Sequence, residues 1–401
     1  MTEKKIILLV TSVSSIPLWD LLYYYGLLGD SKLTVLSLLS IMVFVYSSYQ
    51  LLINYNFESS YFKFFFLIFL LYELFLIVRG FSFTYVDIKS YALAGFIFWP
   101  FAIPLFVFFD KRLSTIGLLI KWIYYLGMFF LIIFLVLPKL LLNRVSAESL
   151  VSSVYVCGFI LLNARYLSNR RVTLTFVLVF ISLLSLTYVA RRNGIVTISG
   201  FILAGYFVNM WHKSKTFIYR YFPIIVSCTV VLMLSLNSVT TTLSSKLQMR
   251  ITEDTRSTLF RSFFYEMRNN MTFGKGMSGT YYFPIEEDVL EDVTESATVY
   301  RHIIENGYLQ LLLTGGIVQI VLIILVLLPA AILGIFKSSN QFTMACGVAI
   351  FLWILDMFIY GLPRLSLHYI LIWICVGICY KTSIRIMTNE EIEAEFSKAN
   401  L

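Results

Sequence analysis

What this chain has least of is charge. Only 13% of its 401 residues are charged against 59% hydrophobic, and its mean hydropathy is +0.83. That leaves too little polar surface to cover a water-soluble globule, and it excludes the soluble enzyme and nucleic-acid-binding classes. Cysteine is also thin: Cys157, Cys228, Cys346, Cys375 and Cys379 each fall inside an apolar run, so no disulfide framework is implied. Cys375 and Cys379 share a helix face, but with no histidine or carboxylate beside them they read as packing residues. With only three histidines, His212, His302 and His368, no zinc site is expected. A cleavable signal peptide is not expected either. The first apolar run is long, contains Trp19 and Asp20, and has no small-residue cleavage site before the next run.

What is present is a succession of apolar segments, at 6–28, 33–53, 62–78, 91–109, 113–137, 149–164, 172–189, 195–211, 222–237, 303–335, 342–361 and 366–380. Each lies near the length a helix needs to cross a bilayer. The expectation is an all-α, polytopic integral membrane bundle of about twelve transmembrane helices, residues 1–401 forming a single membrane domain. Basic residues in the short loops fall mainly on one parity: Lys4, Lys5, Lys63, Lys111, Arg112, Arg165, Arg170, Arg171, Lys213, Lys215, Arg220, Lys337, Lys381 and Arg385. By the positive-inside bias that side is cytoplasmic, with both termini. The tail, 381–401, is short and polar and reads as a frayed, solvated helix on the inner surface.

One loop breaks the rhythm. Residues 237–302, between the ninth and tenth spans, contain no apolar run long enough to cross, and they belong to the outer, periplasmic side. Long loops on a compact scaffold carry function. From Lys246 to Lys275 the loop reads as an amphipathic helix, with Arg256, Arg261 and Arg268 among Leu259, Phe260, Phe263 and Phe264, suited to the membrane surface. The stretch "IEEDVLEDVTES" that follows is an acidic, solvated flap. The three arginines do not form one helical row. Lipid headgroups account for any one of them about as well as a ligand does. The functional alternative is that their planar guanidinium groups grip phosphate oxygens in pairs, which lysine does less selectively.

Two further places resist a purely structural account. In "YVARRNGIV" the adjacent Arg191 and Arg192 sit in a tight outer turn, against the charge bias, with Gly194 to let the backbone turn. Snorkelling explains such arginines; an anion site at the membrane face explains the pair better. In "YRHIIENGYLQLLLTGG", His302, Glu305 and Asn306 are three and four apart, and on a helix they share a face at the mouth of the tenth span beside Arg301. Capping and the helix dipole explain each singly. Together they are what general-base activation of a hydroxyl requires.

These pieces resemble the bacterial O-antigen polymerase and O-antigen ligase superfamily of polyprenyl-linked glycan transferases. The resemblance is carried by "ARRNG" after a span, by "TRSTLFRSFFYEMRNNMTFGKGMSG" in a large outer loop, and by the polar cluster leading into "NGYLQLLLTGGIVQIVL". It covers mainly Tyr188 to Leu328; the amino-terminal half is similar only in being a series of spans. Where that family reads His-Asn-x-Tyr-Leu, this chain has Glu305, Asn306, Gly307, Tyr308 and Leu309, so glutamate stands in the histidine's place and His302 lies one turn earlier. That departure favours polymerase over ligase. The resemblance implies a metal-independent, inverting transfer of a growing glycan from undecaprenyl pyrophosphate onto the next lipid-linked repeat unit, at the periplasmic face of the inner membrane. It casts Arg191 or Arg192, and Arg256, as holders of the pyrophosphate. Arg261, Arg268, Arg301, Asn306 and Tyr308 become substrate contacts, and His302 or Glu305 the base. A histidine's ordinary pKa favours His302, and the family position favours Glu305. The implied partners are the lipid-linked oligosaccharide, membrane lipid, a chain-length regulator and a flippase, with no nucleic acid.

The rivals are an O-antigen ligase and, in another class, a lipid-linked oligosaccharide flippase or other twelve-helix transporter. No repeat relates the two halves, and the polar residues gather at one face rather than at the midplane, which counts against transport. Asp20, Glu73, Lys121 and Asp356 are charges inside apolar runs; Asp20, Glu73 and Asp356, towards the outer side, are expected to line the same cavity or to pair with arginines.

Overall fold

The computed structural model describes residues 2–52, 57–189, 191–211, 255–282 and 300–398. The chain is mainly helical. Its first half comprises α1 (Thr2–Tyr24), α2 (Asp30–Leu51), α3 (Ser60–Gly80), α4 (Tyr85–Leu93), α5 (Trp99–Ala102) running into a 3-10 turn, α6 (Leu113–Val136), α7 (Lys139–Leu142), α8 (Arg144–Val154) and α9 (Gly158–Leu162). There follow α10 (Asn169–Tyr188), α11 (Arg192–Trp211), α12 (Thr255–Met267), α13 (Gly307–Phe336), α14 (Gln341–Asp356), α15 (Leu367–Cys379), α16 (Thr382–Arg385) and α17 (Asn389–Ser397). A two-residue antiparallel ladder, β1 (Tyr281–Tyr282) with β2 (Tyr300–Arg301), is the sheet among the described residues.

Eight helical stretches among the described residues are long and apolar enough to cross a membrane, and they coincide with eight of the twelve runs read from the sequence. Leu71, Val78 and Ile132 are 67%, 70% and 61% exposed, an apolar exterior suited to lipid and not to water. Three more runs correspond to shorter apolar helices: Trp99–Phe108, Gln341–Asp356 and Leu367–Cys379. The run at 91–109 is therefore not one continuous span; α4 ends at Leu93, and the chain turns through Ala94–Phe98 before re-entering. The run at 222–237 lies outside the described residues.

Inside the bundle, aromatic stacks fill the seams that close helix approach leaves open. Phe62 lies 4.0 Å from Tyr380 at an interplanar angle of 12°, and Phe69 is 5.5 Å from Trp373. In lipid such packing, rather than escape from water, holds helices together. The tail is not frayed. Thr388 and Glu391 form a capping box at the start of α17, which buries Ile392 and Phe396, four residues apart, against the bundle. Phe396 packs on Phe342 and Tyr166, and Glu390 takes Arg165 at 3.1 Å.

α13 is the irregular element. Gly316 adopts φ 66° and ψ −164°, splitting it into two half-helices, and Pro329 sits in the second. The predicted amphipathic helix of 246–275 is helical only over Thr255–Met267, within the part that is described. Its glycine-rich sequel docks into the break. Lys275 and Gly276 donate backbone N–H groups to Leu313 O and Thr314 O at 2.8 Å, while Met271 O and Thr272 O accept from Ile317 and Val318. The carbonyls and amides that the break orphans are thus satisfied by the loop, as membrane burial demands.

Candidate functional site

Among the described residues a cavity of about 520 Å³ opens at the end of the bundle that carries α12 and the ladder. Its walls come from the second half of α1, the first half of α2, Leu93–Phe96, α8, and the loop from α14 to α15. The groups with chemistry on those walls are Asp20, Glu148, Arg364, His368 and the hydroxyls of Ser149, Ser152 and Ser153. A smaller recess beside it, lined by Arg191, Asn193, Tyr155 and Tyr360, shares Glu148, Ser152 and Arg364 with the larger one.

Arg191 arrives there because α10 ends sharply: its backbone N–H closes onto Leu186 O at 2.9 Å, and the side chain turns inward to an ion pair with Glu148. Gly194 is needed for close approach rather than for a turn. It lies within α11, where a Cβ would stand 2.5 Å from Tyr155 Oη and 2.4 Å from a Leu186 methyl. Arg364 is delivered from the other side by "GLPRLS". Leu365 N–H donates to Gly95 O at 2.6 Å, and Ser366 caps α15 by accepting Tyr369 N–H at 3.2 Å. The Arg364 guanidinium lies over the Tyr360 ring, 5.8 Å from its centroid. Burial raises the Tyr360 phenol above its ordinary pKa; Arg364 and Arg191 pull it down, and Glu148 and Glu305 push it up. Tyr360 thus feels both arginines and both glutamates.

His368 lines the cavity and also a separate apolar groove of about 160 Å³ between α11 and α14, where Thr197, Phe201, Trp353 and Asp356 stand. Its ring is fixed edge-on to Tyr155 and 5.5 Å from Phe201, and its Nε2 is buried without a hydrogen-bond partner.

The residues read from the sequence divide. His302, Glu305 and Asn306 do not share a helix face, because α13 begins only at Gly307. Asn306 is its N-cap: Oδ1 accepts Leu309 N–H at 3.0 Å, and Nδ2 donates to Phe358 O at 2.6 Å. Tyr308 donates to Ile354 O at 3.1 Å and packs on Phe358. Both fasten α13 to the loop that carries Arg364. His302 and Glu305 precede the cap and are exposed; Gln310 holds this segment back by donating to His302 O and accepting Ile304 N–H. His302 lies within electrostatic reach of Asp87, whose carboxyl is held below its usual range by the Thr84 and Ser82 hydroxyls and then by His302. Glu305 instead reaches Tyr281 and Tyr360. Arg261 and Arg268 are exposed on and just beyond α12, and Arg301 is exposed on β2. The side chains of Arg192 and Arg256 lie outside the described residues.

The charges inside the apolar runs scatter rather than converge. Asp20 alone of the four lines the large cavity. Glu73 accepts from Gln319 Nε2 at 2.9 Å beside the α13 break, Lys121 pairs with Glu3 at 3.3 Å, and Asp356 Oδ1 accepts from Thr197 at 2.7 Å. No role for Glu148, Tyr360, His368 or Arg364 was read from the sequence. The signal was there in "PRLS": a proline-fixed arginine ahead of a helix cap, between two apolar runs.

Compared with protein-family models, with curated proteins and with solved structures, the chain matches none. The site has to be read from its own geometry.

Proposed function

We propose that this chain is a surface-polysaccharide polymerase of the bacterial inner membrane. It moves a growing glycan from undecaprenyl pyrophosphate onto a sugar hydroxyl of the next lipid-linked repeat unit, at the periplasmic face. The observation that carries this reading is the pair of arginines, Arg191 and Arg364, beside a 520 Å³ hydroxyl-lined cavity at one end of an apolar bundle. A diphosphate on a lipid anchor has to sit at that depth, because its chain stays in the bilayer and its charge does not. Guanidinium groups would stabilise the charge that develops on the departing diphosphate, the work a divalent cation does elsewhere; one well-placed donor is worth about 3–4 kcal/mol. The acceptor hydroxyl gives its proton to a base at the rim, from the face opposite the leaving group, which makes the transfer inverting. Glu305, exposed just ahead of the α13 cap, is the base in this reading, with His302 the alternative.

The architecture in this reading has about twelve spans, both termini cytoplasmic, and residues 237–302 as the periplasmic loop. A flippase supplies the lipid-linked repeats and a chain-length regulator docks from the membrane. The transporter reading gains one observation, the broken α13 beside buried Glu73, since broken helices build transport sites. Here, however, the break is filled by residues 271–276, and Glu73 does not line the cavity.

Lipid-linked glycans from cells lacking the protein decide among the readings. Single repeats accumulating on the outer leaflet mean a polymerase. Long chains stranded on the carrier mean a ligase, and single repeats confined to the inner leaflet mean a flippase.

A further inference from the structure

The two arginines at the cavity are not equivalent. Arg191 already has an anion, the Glu148 carboxylate. Arg364 makes no ion pair among the described residues, and the nearest partner its guanidinium has is the face of Tyr360. Glu148, which shares the cavity with it, is engaged by Arg191, and Asp356 Oδ1 accepts the Thr197 hydroxyl at 2.7 Å. Asp20, which lines the same cavity, is exposed and forms no ion pair with it either. A part-buried guanidinium without a carboxylate, facing a cavity of 520 Å³, is a cost the fold bears unless an anion arrives.

The backbone around Arg364 is also set for one. Pro363 fixes the preceding turn, and the Leu365 N–H is tied to Gly95 O at 2.6 Å. Ser366 then opens the thirteen-residue α15, whose first N–H groups, those of Leu367 and His368, are not used within the helix. Leu367 and His368 line the same cavity, with the Ser149 and Ser152 hydroxyls on the neighbouring wall. These donors extend the reach of the arginine from one phosphoryl group to two.

We infer that Arg364 is the principal ligand of the donor's diphosphate, with Arg191, held by Glu148, as the secondary one. This rests on the polymerase reading for the identity of the lipid but not for the site itself. A diphosphate reaches such a site either on a polyprenyl lipid or free in solution, and the two sources bind the same guanidinium.

The test titrates purified protein with undecaprenyl pyrophosphate, undecaprenyl phosphate and inorganic pyrophosphate, for wild type, Arg364→Ala, Arg364→Lys and Arg191→Ala. Arg364→Ala is expected to weaken the pyrophosphate lipid about 10- to 100-fold and to erase its advantage over the monophosphate. Arg364→Lys should restore only part of the affinity, because it lacks the two-pronged fork. Arg191→Ala should lose less than Arg364→Ala. Should alanine impair folding, seen as a broadened elution profile, Arg364→Lys and Arg364→Gln carry the comparison. Wild-type affinity in the Arg364 variants, or a larger loss in Arg191→Ala, overturns the assignment. Inorganic pyrophosphate binding as tightly as the lipid would keep Arg364 as the diphosphate ligand and make the free anion its source. The same preparation is given lipid-linked repeats. Polymer formed by a protein whose diphosphate affinity ignores Arg364 sinks this inference and leaves the polymerase, whereas Arg364-dependent binding without polymer does the reverse.

Discussion

Glu148 lines the cavity and Glu305 stands exposed ahead of the α13 cap, and among the described residues only Glu305 of the two is free of an ion pair for proton transfer. Glu148 is engaged by Arg191, so its lone pairs serve an ion pair. Glu305 is exposed, ahead of the α13 cap, and within the field that Tyr360 senses. His302 is exposed too, within electrostatic reach of Asp87. The expected ranking follows from that placement. Glu305→Gln should slow in-vitro polymerisation of a lipid-linked repeat by about 100- to 10,000-fold, the usual range for losing a general base. His302→Ala should cost far less. An unchanged rate in Glu305→Gln, or a larger loss in His302→Ala, returns the base to the histidine. The sequence could place these residues together at one helix mouth but could not separate them. The separation depends on where α13 starts, which Asn306 decides by capping and which ±2-residue boundaries read from a pattern do not resolve.

At the scale of the element, α13 shows what periodicity could and could not reveal. Its apolar run was plain, whereas its interruption was not, because "TGG" within a hydrophobic helix looks like a weakness in the pattern rather than a docking slot. Only tertiary structure brings residues 271–276 across to replace the missing helical bonds. For the same reason the separate run "MTFGKGMSG" could be seen as glycine-rich but not as the other half of the break. The glycines are required on both sides. A Cβ on Gly316 would lie 2.3 Å from Thr272 O, at a backbone conformation open essentially to glycine alone, and one on Gly274 would lie 2.4 Å from Thr314 O. Gly316→Ala is therefore expected to destabilise the protein by about 1–3 kcal/mol from backbone strain, with the clash adding to it. Thermal unfolding in detergent measures this. A transition temperature within error of wild type would show that α13 does not need the break, and that the docked loop is dispensable to the fold.

At the scale of the whole molecule, the two ends of the bundle differ in kind. One end gathers Lys5 on Gln50 at 3.1 Å, Lys121 on Glu3 at 3.3 Å, Arg165 on Glu390 at 3.1 Å and Glu58 on the backbone of Thr382 at 2.7 Å. Lys5 and Arg165 in these pairings are among the basic residues that the positive-inside bias reads as cytoplasmic. The other end holds Arg79 on Phe273 O, the Arg191–Glu148 pair, Arg364 and the cavity. Sequence parity could divide the charges into these two sets because helices alternate direction; it could not tell a structural pair from a binding group within a set. The division also makes the proposed orientation testable. In the proposed topology, a single cysteine introduced at exposed Arg268 in the outer loop reacts with a membrane-impermeant maleimide in intact spheroplasts, whereas one at exposed Glu390 reacts only after the membrane is opened. The native cysteines described here, Cys157, Cys346, Cys375 and Cys379, are buried, which keeps their contribution to the signal low. Labelling of residue 390 in intact spheroplasts, with residue 268 protected, would put the cavity on the cytoplasmic side. It would then face nucleotide-activated sugars instead of finished lipid-linked repeats, and the polymerase mechanism would have no donor on its side of the membrane.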